Sequence, residues 1–449
     1  MVKFLKITAA IVLLLFVFFA CICKYRTYQA EQTAIPKSAI SLIQINVDEL
    51  YKTIAANMLS HPVYYFKSDF KKNTAAAGPR KLVTGLSIPA SIYLYNLADK
   101  PADAIFSSLE IKSISDFENF IKNVLHLQVT KKTEGINIAK SQLGNLVICY
   151  NHKAAAFAIT TRAENLEPDL LGILNKKNTV KASESRFKAQ LAIKKHVVFS
   201  NSGHNGWIDF RNGQIDFGDV LSSADILPAN QSFQHQQNTG NTVNFSLNAN
   251  FKQGLNKAYR FKNFSLEWDS LLKYYKGNLD VEWTNSVTQT DSVITYEYND
   301  NFEKVEKVSF RKSEIPNFVI RINADTKGLM RYLDHQNIVN KDSATLNKAI
   351  FPLFKVFVKH TDQQFVLSSK KDTKSTASYT KSDNLFMLNI NFQKLNKQIN
   401  QSLINRYLKN LAQLSVSGKA DESGKINIRG ALGMSNKDIN SLYLLLSSF

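Results

Sequence analysis

The stretch IPKSAISLIQINVDELYKTIAANML, residues 35–59, changes its apolar period at Asn46. Before Asn46, Ile40 and Leu42 alternate with polar neighbours, as on a half-buried strand; after it the spacing becomes helical. The same punctuation recurs at NFSLNANFKQGLNKA, at FVIRINADTKGLMRYL after Ile315-Pro316, and at LFMLNINFQKLNKQI. Asn46, Asn250, Asn323 and Asn391 therefore read as N-cap junctions of four strand-Asn-helix units, because an asparagine side chain can accept from an unpaired N–H of the first helical turn. The repetition points to internal duplication.

Working outward, LSIPASIYLYNL (86–97) and DAIFSSLEIK (103–112) read as paired strands, and SISDFENFIKNVLHL as a helix with Ser115 and Glu118 in capping-box positions. NLVICY and AAAFAITT form a hairpin around Asn151, His152 and Lys153. A helix follows near Pro168 to Lys176, and SESRFKAQLAIKK is another. In GWIDFRNGQIDFG (206–218), Asn212-Gly213 is a two-residue turn that pairs Phe210 with Ile215 and Ile208 with Phe217. GNLDVEW, SVITYEY and VEKVSFRK are further strands, and LSVSGKADESGKINIRGAL closes the chain as a hairpin before a short helix after Ser435. The terminal Phe449 is a residue that also ends outer-membrane barrels, but Ile439, Leu442, Tyr443 and Leu446 have helical spacing.

The expected fold is α+β: two lobes of mainly antiparallel sheet with helices packed on one face, after an N-terminal transmembrane helix. Residues 1–6 form a cytoplasmic tip, 7–23 a transmembrane signal anchor and 24–34 a tether. An N-terminal lobe spans 35–228, a polar Gln/Asn-rich linker 229–242 and a C-terminal lobe 243–449. The run ITAAIVLLLFVFFACIC holds one polar residue, Thr8, and is flanked by Lys3, Lys6, Lys24 and Arg26. Its length and the lack of an Ala-x-Ala site favour an uncleaved single-pass anchor in the bacterial cytoplasmic membrane with the body facing the periplasm. The alternative is a lipoprotein acylated at Cys21.

The chain has 449 residues, 44% hydrophobic and 21% charged, enough to bury full cores. Its +19 charge rests on 56 cations against 37 anions, and four of the cations precede Thr27, so the body carries +15. Lysines outnumber arginines, 45 to 11; the lysine point charge lacks the planar fork that reads base edges, so no specific nucleic acid is expected. Anionic lipid headgroups and other envelope proteins are the expected partners, beside the membrane itself.

No catalytic, cofactor-binding or metal residue is assigned. The eight histidines have no two within five positions, so no helical metal face exists. His204, in NSGHNGW, is the most eligible, as a turn histidine. GKADESGK (418–425) has the wrong spacing for a phosphate loop, and Asp334 beside His335 has no serine with context. Asp209 and Asp216 face one another as a cation site or as a solvated face with Arg211 alongside. Cys149, in LVICY, reads as a buried strand thiol. Tyrosines at strand positions, among them Tyr93, Tyr95, Tyr274, Tyr275, Tyr296 and Tyr298, either fill the cores or line a groove suited to an acyl chain or an extended peptide.

The Ile-Pro, strand, Asn, helix opening, the Phe-rich helix DFENFIKNVL, the hairpin LVICYNHKAAAFAITT and the unit SRFKAQLAIKKHVVFSN together resemble a family of exported, membrane-anchored or lipoprotein-like Bacteroidota envelope proteins, a domain of unknown function. The resemblance covers about 35–210 and the C-terminal region, and implies location and fold. The expected function is non-enzymatic binding or scaffolding of envelope components. An acyl-chain-binding periplasmic module and an envelope hydrolase with a site assembled from distant residues are the alternatives.

Overall fold

The computed structural model describes residues 18, 21–66, 82–131, 135–222, 225–229, 233–235, 240–254, 257–261, 264–373, 379–398, 405 and 408–447. The chain divides into two compact units, one of Met1–Asp219 with Asp438–Tyr443, the other of Val220–Lys437 with Leu444–Phe449. The division falls after Asp219, so the Gln/Asn-rich stretch 229–242 belongs to the second unit. Within it Phe233–His235 pairs with Tyr379–Lys381.

In the first unit the strands are β1 (Ala39–Asn46), β2 (Ser91–Leu97), β3 (Ile105–Glu110), β4 (Gln128–Lys131), β5 (Asn137–Lys140), β6 (Leu146–Tyr150), β7 (Ala154–Ile159), β8 (Val197–Ser200) and β9 (His204–Arg211). Register partners give the order β9-β8-β1-β2-β3-β7-β6-β5-β4, antiparallel throughout. The helices α1 (Val47–Ser60), α2 (Ile114–Asn119) and α3 (Glu167–Leu174) accompany it.

Helices lie on both faces of this sheet, not on one. Val147 and Cys149 of β6 pack with Leu166, Leu170 and Ile173 around α3. Their neighbours Ile148 and Tyr150 point the other way, onto Phe117 and Ile121 around α2. A strand buried on both faces needs an uninterrupted apolar run, and LVICY is one. Cys149 is fully buried within it. The capping residue of α2 is Ser113, whose hydroxyl accepts from the Asp116 N–H, and not Ser115. SESRFKAQLAIKK yields only a turn of 3-10 helix, Ala182–Glu184, and Lys188–Leu191.

Most of the run 7–23 read as a transmembrane anchor lies outside the described residues. Among those described, no helix is long and apolar enough to cross a membrane. The stretch read as a tether, 24–34, is helical over 24–31. The Arg26 guanidinium grips Asp48 through two 2.9 Å bonds and reaches the Ile88 carbonyl at 3.0 Å, which docks this helix on the first unit.

The second unit contains β10 (Val243–Phe251), β11 (Tyr275–Tyr298), β12 (Lys304–Ala324), β13 (Phe357–His360), β14 (Gln364–Ser368), β15 (Phe386–Asn391), β16 (Leu411–Ala420) and β17 (Lys425–Met434). Their order is β13-β14-β12-β11-β10-β15-β16-β17, again antiparallel. Leu329 and Leu333 of α4 (Thr326–His335) pack with Val358 and Phe365. The segments GNLDVEW and SVITYEY are one strand of 24 residues, and VEKVSFRK with IPNFVIRINA is one of 21. Pro316 stands inside β12 instead of opening a new unit. A proline cannot donate to a ladder and is confined to edges and bulges, and here the register with β11 shifts between Trp283 and Ser286, opposite it.

Of the four junction asparagines one makes a capping bond. Asn391 Oδ1 accepts from the Lys394 N–H at 3.0 Å, at the start of α5 (Phe392–Gln398). Asn46 occupies the N-cap position of α1 without a side-chain cap. The Asp48 N–H already bonds the Ala90 carbonyl, so the asparagine turns across the sheet to the Lys195 carbonyl, 2.5 Å, and to Ser91, 2.8 Å. Asn323 donates to Asn278, which donates to Asn248, a ladder of amides across β12, β11 and β10. The cap of α4 is Asp325, two residues later. Asn250 lies within β10; the helix expected beyond it runs over residues 255–256, which lie outside the described residues, and a strand follows at Ala258–Phe261. Asn391→Ala is accordingly expected to destabilise the second unit by about 1 kcal/mol, read as a lowered midpoint in calorimetry. Asn250→Ala removes no cap and is expected to leave the helical circular dichroism unchanged.

Candidate interaction surface

Past the Trp283/Ser286 shift, β11 and β12 continue as a two-stranded ribbon to which no third strand among the described residues pairs, in register from Ser286–Pro316 to Tyr298–Lys304. Strand β14 pairs with β12 only over Val319–Asn323. Directly opposed residues of an antiparallel pair share a face, and faces alternate along each strand. One face therefore carries Ser292 with Phe310, Ile294 with Val308, Tyr296 with Glu306 and Tyr298 with Lys304. The other carries Asp291 with Arg311, Thr295 with Lys307 and Glu297 with Val305.

The polar face is tied down. Lys307 Nζ binds Glu297 at 2.7 Å. Lys348 and Lys355 hold Asp291, at 2.7 and 3.4 Å. The hydrogen bond from Lys348, with help from Lys355, holds the Asp291 carboxyl below the usual range against the opposing effect of burial. The Gln289 amide bonds the Lys355 and Ser369 backbones. The apolar face is open: Ile294, Tyr296 and Val308 are exposed, Tyr298 is 72% and Phe310 75% exposed. Lys304 lies 4.0 Å over the Tyr296 ring.

At the tip, Asn299 Oδ1 accepts from the N–H groups of Asn301 and Glu303, and the Phe302 N–H bonds the Asn299 carbonyl. This turn holds Phe302 at φ +60°, 87% exposed. The left-handed region costs a residue with a Cβ about 1 kcal/mol or more, and an aromatic side chain in water returns nothing. Tyr93 and Tyr95 fill the first core, and burial pushes the Tyr93 hydroxyl up to about 12. Tyr296 and Tyr298 do neither of the things expected of the strand tyrosines; they stand in solvent.

Histidines and carboxylates do meet in the first unit. His196 Nδ1 lies 2.6 Å from Asp209 Oδ1 and its Nε2 2.8 Å from Thr53 Oγ1, the outline of a nucleophile, base and acid. The chemistry fails at Thr53, whose hydroxyl donates to the Glu49 carbonyl one helical turn back at 2.9 Å. Its oxygen is left to accept from His196, so the proton runs opposite to what a general base requires. Nδ1 also receives the Phe210 N–H at 3.0 Å. Burial opposes the charge of Asp209, but Lys195 at 2.8 Å, His196 and Arg211 outweigh it and hold the carboxyl below its ordinary value. Arg211 bridges Asp209 and Asp216, at 3.3 and 3.0 Å, so the cation between these carboxylates is the chain's own. His204 Nδ1 pairs with Asp219 at 2.8 Å, and Asp334 with Lys341. Among the described residues no group of three or more His, Cys, Asp or Glu could hold a metal ion.

The chain is thus a mainly antiparallel α+β protein with an amphipathic two-stranded ribbon. No protein-family model and no curated protein matches it. Two solved structures, crystal forms III and IV of TP0453, are similar to it at 9% identity, over 76% and 75% of this chain and 92% of theirs, with TM-scores of 0.23 and 0.22.

Proposed function

We propose that this chain is a non-enzymatic, membrane-anchored protein of the bacterial cell envelope that binds or scaffolds other envelope components through the apolar face of its ribbon. The observation that carries this reading is the row Phe310, Ile294, Val308, Tyr296 and Tyr298, exposed together and continued by Phe302. Contiguous exposed apolar surface on a folded protein marks a place of contact, and a lone two-stranded hairpin gains little stability by itself. The apolar run 7–23 and the resemblance to exported Bacteroidota proteins support placing the body outside the cytoplasmic membrane.

A photo-crosslinking phenylalanine analogue at Phe310 or Phe302 in intact cells tests the reading. Crosslinked protein is expected from both, with little from Thr295 on the opposite face. Equal yields from the two faces would sink it. Replacing Ile294, Val308 and Phe310 together by threonine is expected to remove the Phe302 crosslinks while moving stability by less than about 0.5 kcal/mol per site, because these side chains are exposed.

A further inference from the structure

The ribbon has two edges, and they differ. Beside β11, Lys355 Nζ reaches the Thr290 carbonyl at 3.2 Å, so a neighbouring segment covers part of that edge. Beside β12, no strand among the described residues pairs with 304–316 on the side away from β11. An uncovered edge presents a row of backbone donors and acceptors, the template for adding a strand.

The side chains on that edge state which strand. On the apolar face, positions 304, 306, 308, 310, 312 and 314 read Lys, Glu, Val, Phe, Lys, Glu. Turned end for end about position 309, the same row reads Glu, Lys, Phe, Val, Glu, Lys. Laid antiparallel on a copy of itself, Lys304 meets Glu314, Glu306 meets Lys312 and Val308 meets Phe310, each pair twice. Opposite charges and apolar pairs directly across a ladder are the stabilising combinations. A self-complementary patch closes with two-fold symmetry and uses up the β12 edge of both copies. On the other face Lys307 meets Arg311, a like pair softened because Lys307 is bound to Glu297 and Arg311 stands across from Asp291. Pro316, with no N–H, lies just beyond the matched stretch.

We infer that the free edge of β12 pairs antiparallel with β12 of a second copy of this chain, centred on position 309, joining two ribbons into a four-stranded sheet with one continuous apolar face. The inference rests on the reading of the ribbon as a contact surface and names its first partner.

Directly opposed residues lie about 5 Å apart between Cα atoms, within disulfide reach. In membranes containing the full-length chain, Ser309→Cys is expected to form a disulfide-linked dimer on mild oxidation, mapped by mass spectrometry to the 309–309 peptide, whereas Thr295→Cys forms none. Adding Glu306→Lys places two like pairs in the ladder and is expected to lower the yield about tenfold. Adding Lys312→Glu to that variant restores both pairs and the yield. Absence of the 309–309 link, or its indifference to Glu306→Lys, would overturn the pairing. The crosslinks at Phe310 separate the two readings: if they persist to other proteins while the 309–309 link is absent, the contact surface stands and only the self-pairing falls. If both are absent, both fall.

Discussion

Gly85→Ala is expected to destabilise the first unit by about 3–5 kcal/mol, the largest effect of any change considered for this chain. Gly85 sits at φ +68°, where a Cβ is strained in any surroundings. A Cβ there would lie 2.3 Å from the Phe117 nitrogen and 2.5 Å from the Ser113 carbonyl oxygen. Neither can yield. The Gly85 carbonyl accepts from the N–H groups of Lys112 and Ser113, which sets the start of α2 against the strand ends. Phe117 is fully buried, edge-to-face on Tyr150 at 5.3 Å between ring centres. Displacing α2 therefore opens the whole second core of this unit, so conformational strain and overpacking add. Calorimetry should show the midpoint lowered by about 10 °C. A loss under about 1 kcal/mol would mean that α2 is not locked as described.

Asp209→Asn is expected to cost about 2–3 kcal/mol at neutral pH, because it leaves Lys195 and Arg211 facing a neutral amide in a partly enclosed site. The pH dependence gives the sharper test. Asp209 is held below its ordinary value in the folded chain, so its protonation is harder there than in the unfolded chain. Its contribution is fully present above the unfolded carboxyl value of about 4 and is lost as pH falls through the lower folded value. The stability gap between the native chain and Asp209→Asn should narrow steadily below about pH 4. A gap that does not change with pH would show that Asp209 contributes packing and hydrogen bonds but no charge. The same cluster explains why a histidine, a carboxylate and a hydroxyl in contact do not make Thr53 a nucleophile: the helix carbonyl of Glu49 takes the one proton that a nucleophile would have to give up.

The strands and hairpins were readable because their signals are local. Alternation in SIYLYNL, the uninterrupted LVICY and the turn at Asn151 each carry their period within a few residues. Three of the four junction asparagines, Asn46, Asn250 and Asn323, make no side-chain capping bond for a related reason. An amide side chain at a strand end has several neighbours, and which one it bonds depends on strands 30 to 150 positions away, as for Asn278 beside Asn248 and Lys195 beside Asn46. Likewise Pro316 looked like a boundary, since a bulge that tolerates it exists only once β11 is laid beside β12.

The exposed apolar face of the ribbon was in view and unrecognised. SVITYEY and VEKVSFRK have the alternation of ordinary half-buried strands, and nothing in that pattern tells whether the apolar side meets a core. By itself the sequence determined the class: a basic chain with an apolar N-terminal run, antiparallel strands and interspersed helices, because period, charge and turn chemistry are properties of neighbouring residues. Only the tertiary structure decided that one pair of strands outruns its sheet. Burial is a property of what stands opposite, and among the described residues Phe310, Ile294 and Val308 are left exposed.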